Sequence, residues 1–195
     1  MARRKFYKFR RRRGLYKRVK RLERAQARDK PEKKFTYKTW NATSIPDQSA
    51  PISQHLTDIF AGTSQGERVG NKVKVTGMYG HLFVNAADTT NSVRIIVYIP
   101  KDPSIALAGL SFYQHPDEDN YTILIDKYVC VSTNGPGCKM VSLRRKYKNG
   151  INVQFDGTGS GDRATNPIWI YAVSDSGAVS HPDMSGYLYT YYTDA

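Results

Sequence analysis

Positive charge in this 195-residue chain is packed into one end. Residues 1–34 carry seventeen Lys and Arg against three Asp and Glu, a net +14; residues 35–195 carry thirteen against fourteen, a net −1. A block of like charges repels itself and cannot close a core. The fold must therefore be built by residues 35–195, a length that suits one self-sufficient domain. The expected organisation is a basic arm, 1–34, followed by a domain, 35–195. Such asymmetry fits a polyanionic partner, either nucleic acid or an anionic membrane.

The arm begins Arg3, Arg4, Lys5, Phe6, Tyr7, Lys8, Phe9, then Arg10, Arg11, Arg12 and Arg13. Lys17, Arg18, Lys20 and Arg21 continue the charge. Leu15, Val19, Leu22 and Gln26 fall at helical spacing, which suggests a thin apolar stripe between Gly14 and Pro31. A helix so narrow is marginal alone and firmer when bound, and a wholly disordered arm fits the residues equally well. The stripe is also too thin to make a membrane the main partner. Each cation near a phosphate releases condensed counterions, giving sequence-independent, salt-sensitive affinity. Arginine adds bidentate phosphate contacts, and Phe6, Tyr7, Phe9 and Tyr16 are placed to stack on unpaired bases. Fully extended, an arm of this length reaches about 110–120 Å.

The domain reads as β throughout. Strands are expected at Phe35–Trp40, Lys72–Val84, Ser92–Pro100, Tyr121–Ser132, Cys138–Tyr147, Ile151–Phe155, Pro167–Ser174 and Ser185–Thr193. Val93, Ile95, Val97 and Ile99 alternate with Ser92 and Arg94, as in a half-buried strand. Alternation slips near Gly77 and Gly80, which suggests a bulge. Turn signals separate the strands, among them Asn134-Gly135-Pro136-Gly137, Asn149-Gly150 and Gly157–Asp162. Ser53 is placed to cap a helical turn over Gln54–Ala61, with Gly62 as its stop. Eight short strands without a substantial helix predict an all-β fold, an eight-stranded single jelly-roll sandwich.

Cys130 and Cys138 flank one of these turns and are expected to face each other across a hairpin, as free thiols. The longest apolar run, Ile95–Ile99, is far short of the ~20 residues of a spanning helix. The sequons at Asn41 and Asn120 read as accidental, since no secretory signal precedes them.

Three surface features remain. Of fourteen tyrosines, Tyr171, Tyr187, Tyr189, Tyr191 and Tyr192 lie near the C-terminus, and Gly186–Thr193 puts aromatic residues on both faces of its strand. One face can enter the core; the other suits a subunit interface, or a face that tolerates water through its hydroxyls. Arg144, Arg145, Lys146 and Lys148, ahead of the Asn149-Gly150 turn, read as a second genome-facing cluster, or as a solvated turn or salt-bridge partners. Asp117, Glu118 and Asp119 offer oxygen ligands of the kind Ca²⁺ takes, although most acidic loops are simply solvated. No other cofactor is suggested.

The Arg-rich, aromatic-dotted start, with Gln65-Gly66-Glu67-Arg68-Val69-Gly70-Asn71-Lys72-Val73-Lys74-Val75 entering a strand, resembles capsid proteins of circular, Rep-encoding single-stranded DNA viruses. Tyr121-Thr122-Ile123-Leu124-Ile125-Asp126 and Tyr192-Thr193-Asp194-Ala195 are similar to coat proteins of small satellite RNA viruses of plants. The resemblance covers most of the chain in order but is loose between these anchors. It implies a jelly-roll coat protein in an icosahedral T=1 shell of about sixty subunits, with arms inward on a single-stranded genome. It implies residence in the virion and import into the host nucleus through the arm, and it favours DNA over RNA. About 840 arm charges would then match the phosphates of roughly a thousand nucleotides. The loops Lys101–Asn120 and Gly157–Asn166 are expected on the outside.

Catalysis finds no support in the residues. His55, His81, His115 and His181 are scattered, and no nucleophile elbow, zinc-protease or phosphate-loop motif occurs. Gly157-Thr158-Gly159-Ser160-Gly161 lacks the lysine of a phosphate loop. The rival from another class is a monomeric module with a basic tail, of ribosomal or chromatin type. Such a protein usually spreads positive charge onto its folded surface, whereas this domain has a net charge of −1.

Overall fold

The computed structural model describes residues 16–21, 31–159, 165–177 and 180–195. The chain divides into two compact units, Met1–Glu32 and Lys33–Ala195. In the first, residues 16–21 are helical and exposed, with Lys20 Nζ 5.9 Å from the Tyr16 ring centroid. Val19 of the expected stripe lies on this helix, 47% exposed, while Leu15, Leu22 and Gln26 lie outside the described residues.

The second unit consists of eight strands: β1 (Lys33–Ser44), β2 (Ile52–His55), β3 (Lys72–Asn85), β4 (Asn91–Pro100), β5 (Tyr121–Val131), β6 (Cys138–Gln154), β7 (Trp169–Ser174) and β8 (Asp183–Asp194). They form two four-stranded antiparallel sheets, ordered β1-β8-β3-β6 and β2-β7-β4-β5. Chain neighbours thus alternate between the sheets, with β4 and β5 as the one pair adjacent in both sequence and sheet. This is the jelly roll that the strand pattern predicts.

The core lies between the sheets. Val73, Val75, Leu82 and Val84 of β3 belong to the same buried cluster as Val93, Ile95 and Val97 of β4 and Met184, Leu188 and Tyr192 of β8. At Gly80 an added Cβ would sit 2.1 Å from the Tyr187 carbonyl oxygen, so only glycine lets β8 approach β3 this closely. The expected bulge falls at Thr76: β3 slips register between Val75 and Gly77 against both of its neighbours. It does not extend to Gly80, which pairs in register with Leu188 and Leu143.

Three expectations are corrected. Residues 52–55 form a strand, not a capped helical turn, because Ile52 and its neighbours pair with β7 and that ladder overrides the local cap signal. Asn149-Gly150 does not reverse the chain. The residues on both sides pair with β3, from Lys146 opposite Gly77 to Ile151 opposite Val75. Residues 147–150 therefore bulge opposite Thr76, and Gly150, at φ 66°, supplies the left-handed residue. Two expected strands are thus one, and β2 restores the count to eight. Finally, Cys130 and Cys138 do not face each other across a hairpin. Cys130 pairs with Ser92 in one sheet and Cys138 with Asn85 in the other, so the intervening turn crosses between sheets. Both thiols are free and exposed.

The outer faces of the sheets differ. On β2-β7-β4-β5 the outward residues Ile96, Tyr98, Tyr171 and Val173 form a second buried cluster with Leu107 and Leu110. The long 101–120 segment folds over this face and is held there by tyrosine hydroxyls. Tyr171 donates to the Leu110 carbonyl at 2.8 Å, and the Leu107 amide donates to Tyr98 Oη at 2.9 Å. Burial pushes the Tyr171 phenol up to about 12. Arg94, read from alternation as outward, is buried here. It bonds Asp126 through Nε and Nη2 at 3.0 and 2.8 Å, donates to the Phe112 and Gln114 carbonyls, and lies 4.7 Å from the Tyr128 centroid. Burial opposes its charge, but the bonds to Asp126 and its carboxylate charge outweigh that, and the pKa rises.

Candidate nucleic-acid interface

The outer face of β1-β8-β3-β6 is not covered by the chain's own loops among the described residues. Alternation along β8 sends Met184, Leu188 and Tyr192 inward and leaves Tyr187, Tyr189 and Tyr191 outward. Register brings outward residues of the flanking strands beside them: Phe35 opposite Tyr191, Tyr37 opposite Tyr189, Tyr79 opposite Tyr189 and His81 opposite Tyr187.

The rings touch in series. Phe35 meets Tyr189 edge-on at 5.5 Å, Tyr187 meets Tyr189 at 5.4 Å, and Tyr189 stacks with Tyr191 at 6.2 Å. His81 joins Tyr187 at 6.1 Å and Tyr79 at 5.1 Å, with Tyr79 Oη 2.7 Å from His81 Nε2. Tyr37 is 57% exposed, Phe83 43% and Met140 54%. A connected sheet of aromatic surface of this kind is unusual on a monomer. The sequence pointed to it through Gly186–Thr193; the contributions of β1 and β3 follow only from the pairing order.

At one end of this face a groove of about 750 Å³ opens, lined by Tyr79 and Tyr191 and by four cations, Lys33, Arg144, Arg145 and Lys146. Among the described residues no carboxylate lines it. Arg144, Arg145 and Lys146 are exposed and end the regular pairing of β6 with β3 just before the 147–150 bulge. Lys148, expected with them, is exposed within the bulge and does not line the groove. Lys33 is the first residue of β1, the point at which the arm continues into the sheet.

Of the arm residues, Lys17, Arg18, Lys20 and Arg21 lie on the exposed helical segment 16–21. Arg3, Arg4, Lys5, Phe6, Tyr7, Lys8, Arg10, Arg11, Arg12 and Arg13 lie outside the described residues. The acids Asp117, Glu118 and Asp119 are exposed in the loop before β5. Asp117 Oδ1 accepts the Asp119 amide at 2.9 Å, and Oδ2 accepts the Asn120 side chain at 2.6 Å, so both oxygens serve the turn. Among the described residues no three His, Cys, Asp or Glu side chains are grouped to hold a metal ion. No described helix is long and apolar enough to cross a membrane.

No family model matches the chain, and no curated protein matches it in sequence. Among solved structures it is similar to one of Desmodium yellow mottle tymovirus, at 9% identity over 84% of this chain and 87% of that chain, with a TM-score of 0.43. A T=1 Penaeus vannamei nodavirus structure is similar at 12% identity over 85% and 58% of the two chains, with a TM-score of 0.38. A virus-like particle of Macrobrachium rosenbergii nodavirus is similar at 11% identity over 85% and 95%, with a TM-score of 0.36. The assignment of this chain as a jelly roll stands on its own strand order.

Proposed function

We propose that this chain is a virus coat protein without catalytic activity, whose jelly-roll domain tiles a small closed shell and whose arm packages a single-stranded genome. The observation that carries this is the segregation of charge: +14 in residues 1–34, joined to a two-sheet sandwich of net −1. A near-neutral sandwich can pack against copies of itself without self-repulsion, while a cationic arm condenses polyanion in an interior. The shell is of T=1 type with about sixty subunits, as the resemblance to small single-stranded DNA virus and satellite virus coat proteins implies. The arginine-rich, aromatic-dotted start favours DNA as the genome. The same basic run serves as a nuclear localisation signal, placing assembly in the host nucleus.

The full chain and a chain lacking residues 1–34 are expressed and examined by electron microscopy, with the ratio of nucleic-acid to protein absorbance recorded for each. Uniform particles rich in nucleic acid from the full chain, and loss of that nucleic acid from the truncated chain, are expected. Soluble monomers from both at every salt concentration would overturn the coat reading in favour of the basic-tailed binding module.

A further inference from the structure

The aromatic face of β1-β8-β3-β6 has a shape and charge that the arm's chemistry does not explain. Electrostatic packaging needs only cations, yet here rings and cations converge in the folded domain. Tyr79 and Tyr191 line the same groove as Lys33, Arg144, Arg145 and Lys146. From that groove the rings continue inward across the sheet through Tyr189, Tyr187 and His81. We infer that this face is a second nucleic-acid site, a stacking platform on which unpaired bases lie against tyrosine rings while the groove's cations hold the adjoining phosphates.

Two observations favour this occupant over a second copy of the chain. A copy docked groove to groove by two-fold symmetry would bring four cations toward four cations, with no carboxylate among the described lining residues to offset them. A single strand offers the complementary charge, and every base has a π-face to meet a ring. Lastly, the arm joins the sheet at Lys33, a residue of the groove itself, so the segment that gathers the strand electrostatically is continuous in chain with the platform. The inference rests on the reading of the chain as a single-strand binder, but assigns the folded domain a share of that work.

The full chain is photo-crosslinked to halogenated oligodeoxythymidylate and, separately, to halogenated oligouridylate, and crosslinked peptides are mapped by mass spectrometry. Crosslinks at Tyr79 and Tyr191 are expected, and their relative yield with the two oligonucleotides shows which sugar the platform prefers. In parallel, Tyr79→Ser/Tyr191→Ser is expected to weaken binding about tenfold or more while leaving the salt dependence unchanged, since stacking releases no counterions. Arg144→Gln/Arg145→Gln is expected to lower the slope of log affinity against log salt by about 1.4. Crosslinks confined to residues 1–34, with affinity unchanged in the tyrosine variant, would overturn the platform and leave the arm's role intact. Arm-only crosslinks together with loss of particles in the tyrosine variant would reassign the face to a subunit contact. Absence of binding to either oligonucleotide would overturn the platform and the packaging role together. Because the mapping uses the unaltered chain, it decides the question even if a variant misfolds.

Discussion

Arg68 lays its guanidinium over the ring of Phe155, 4.1 Å from the centroid, and is wholly buried. Its hydrogen bonds run to backbone carbonyls: Nε to Ile59 at 3.1 Å, Nη1 to Gly70 at 2.6 Å, and Nη2 to Gly157. One planar fork thus ties together the loop before β3 and the loop after β6. Arg68→Lys keeps the charge but replaces the fork with a point donor that cannot reach all three carbonyls or stack as a plane. A loss of about 2–4 kcal/mol in unfolding free energy is expected, measured by denaturant titration, with little change in the slope.

Lys34 Nζ lies 2.9 Å from Asp194 Oδ2, with the lysine side chain almost wholly buried. Asp194 Oδ1 also accepts the Val69 amide at 3.1 Å, and Lys34 donates to the Glu67 carbonyl at 3.0 Å. Root of the arm, Arg-Val-Gly loop and C-terminus therefore share one junction. Asp194→Ala leaves a buried ammonium without its counter-charge and should cost about 3 kcal/mol, whereas the double variant Lys34→Met/Asp194→Ala should recover part of that loss. A double-mutant cycle measures the coupling.

Tyr171→Phe removes the hydroxyl that holds the Leu110 carbonyl. The expected cost is about 1–2 kcal/mol, with the effect concentrated in residues 101–120. Hydrogen exchange should show faster exchange of that segment and unchanged protection in β3 and β8.

Alkali should unfold the domain through its buried phenols. Burial raises Tyr171 to about 12, and Tyr98, Tyr147 and Tyr192 are raised for the same reason. A raised phenol keeps its proton in the folded state after the unfolded state has released it. The stabilisation is therefore full below about pH 10 and falls as pH climbs from there through the folded value. Phenolate absorbance should show a late group of tyrosines that ionises together with the loss of β structure. A single transition at the ordinary tyrosine pKa, with the fold intact, would contradict this.

Much of the fold is legible in the residues. Period-two alternation in β4, and the turn signals between strands, are local, so an all-β sandwich can be read without long-range information. Where reading failed, a partner strand outweighed a local signal. Ser53 looks like a helix cap until β7 pairs with it, and Asn149-Gly150 looks like a hairpin until both its flanks pair with β3. Arg94 alternates with apolar residues as an exposed side chain would. Only the fold-over of residues 101–120 makes its position interior, by supplying the Phe112 and Gln114 carbonyls beside Asp126.

The same division runs through the candidate site. Charge segregation, the arm's chemistry and the run Arg144–Lys146 are properties of composition and adjacency, so the sequence alone determined them. The groove is different. Lys33, Tyr79, Arg144 and Tyr191 come from four strands spread along the chain, and only the ladder order β1-β8-β3-β6 sets them side by side. Strand order depends on which apolar faces bury together across the sandwich, a cooperative choice that no local pattern encodes. The tertiary structure therefore decided that the cations would meet aromatic rings.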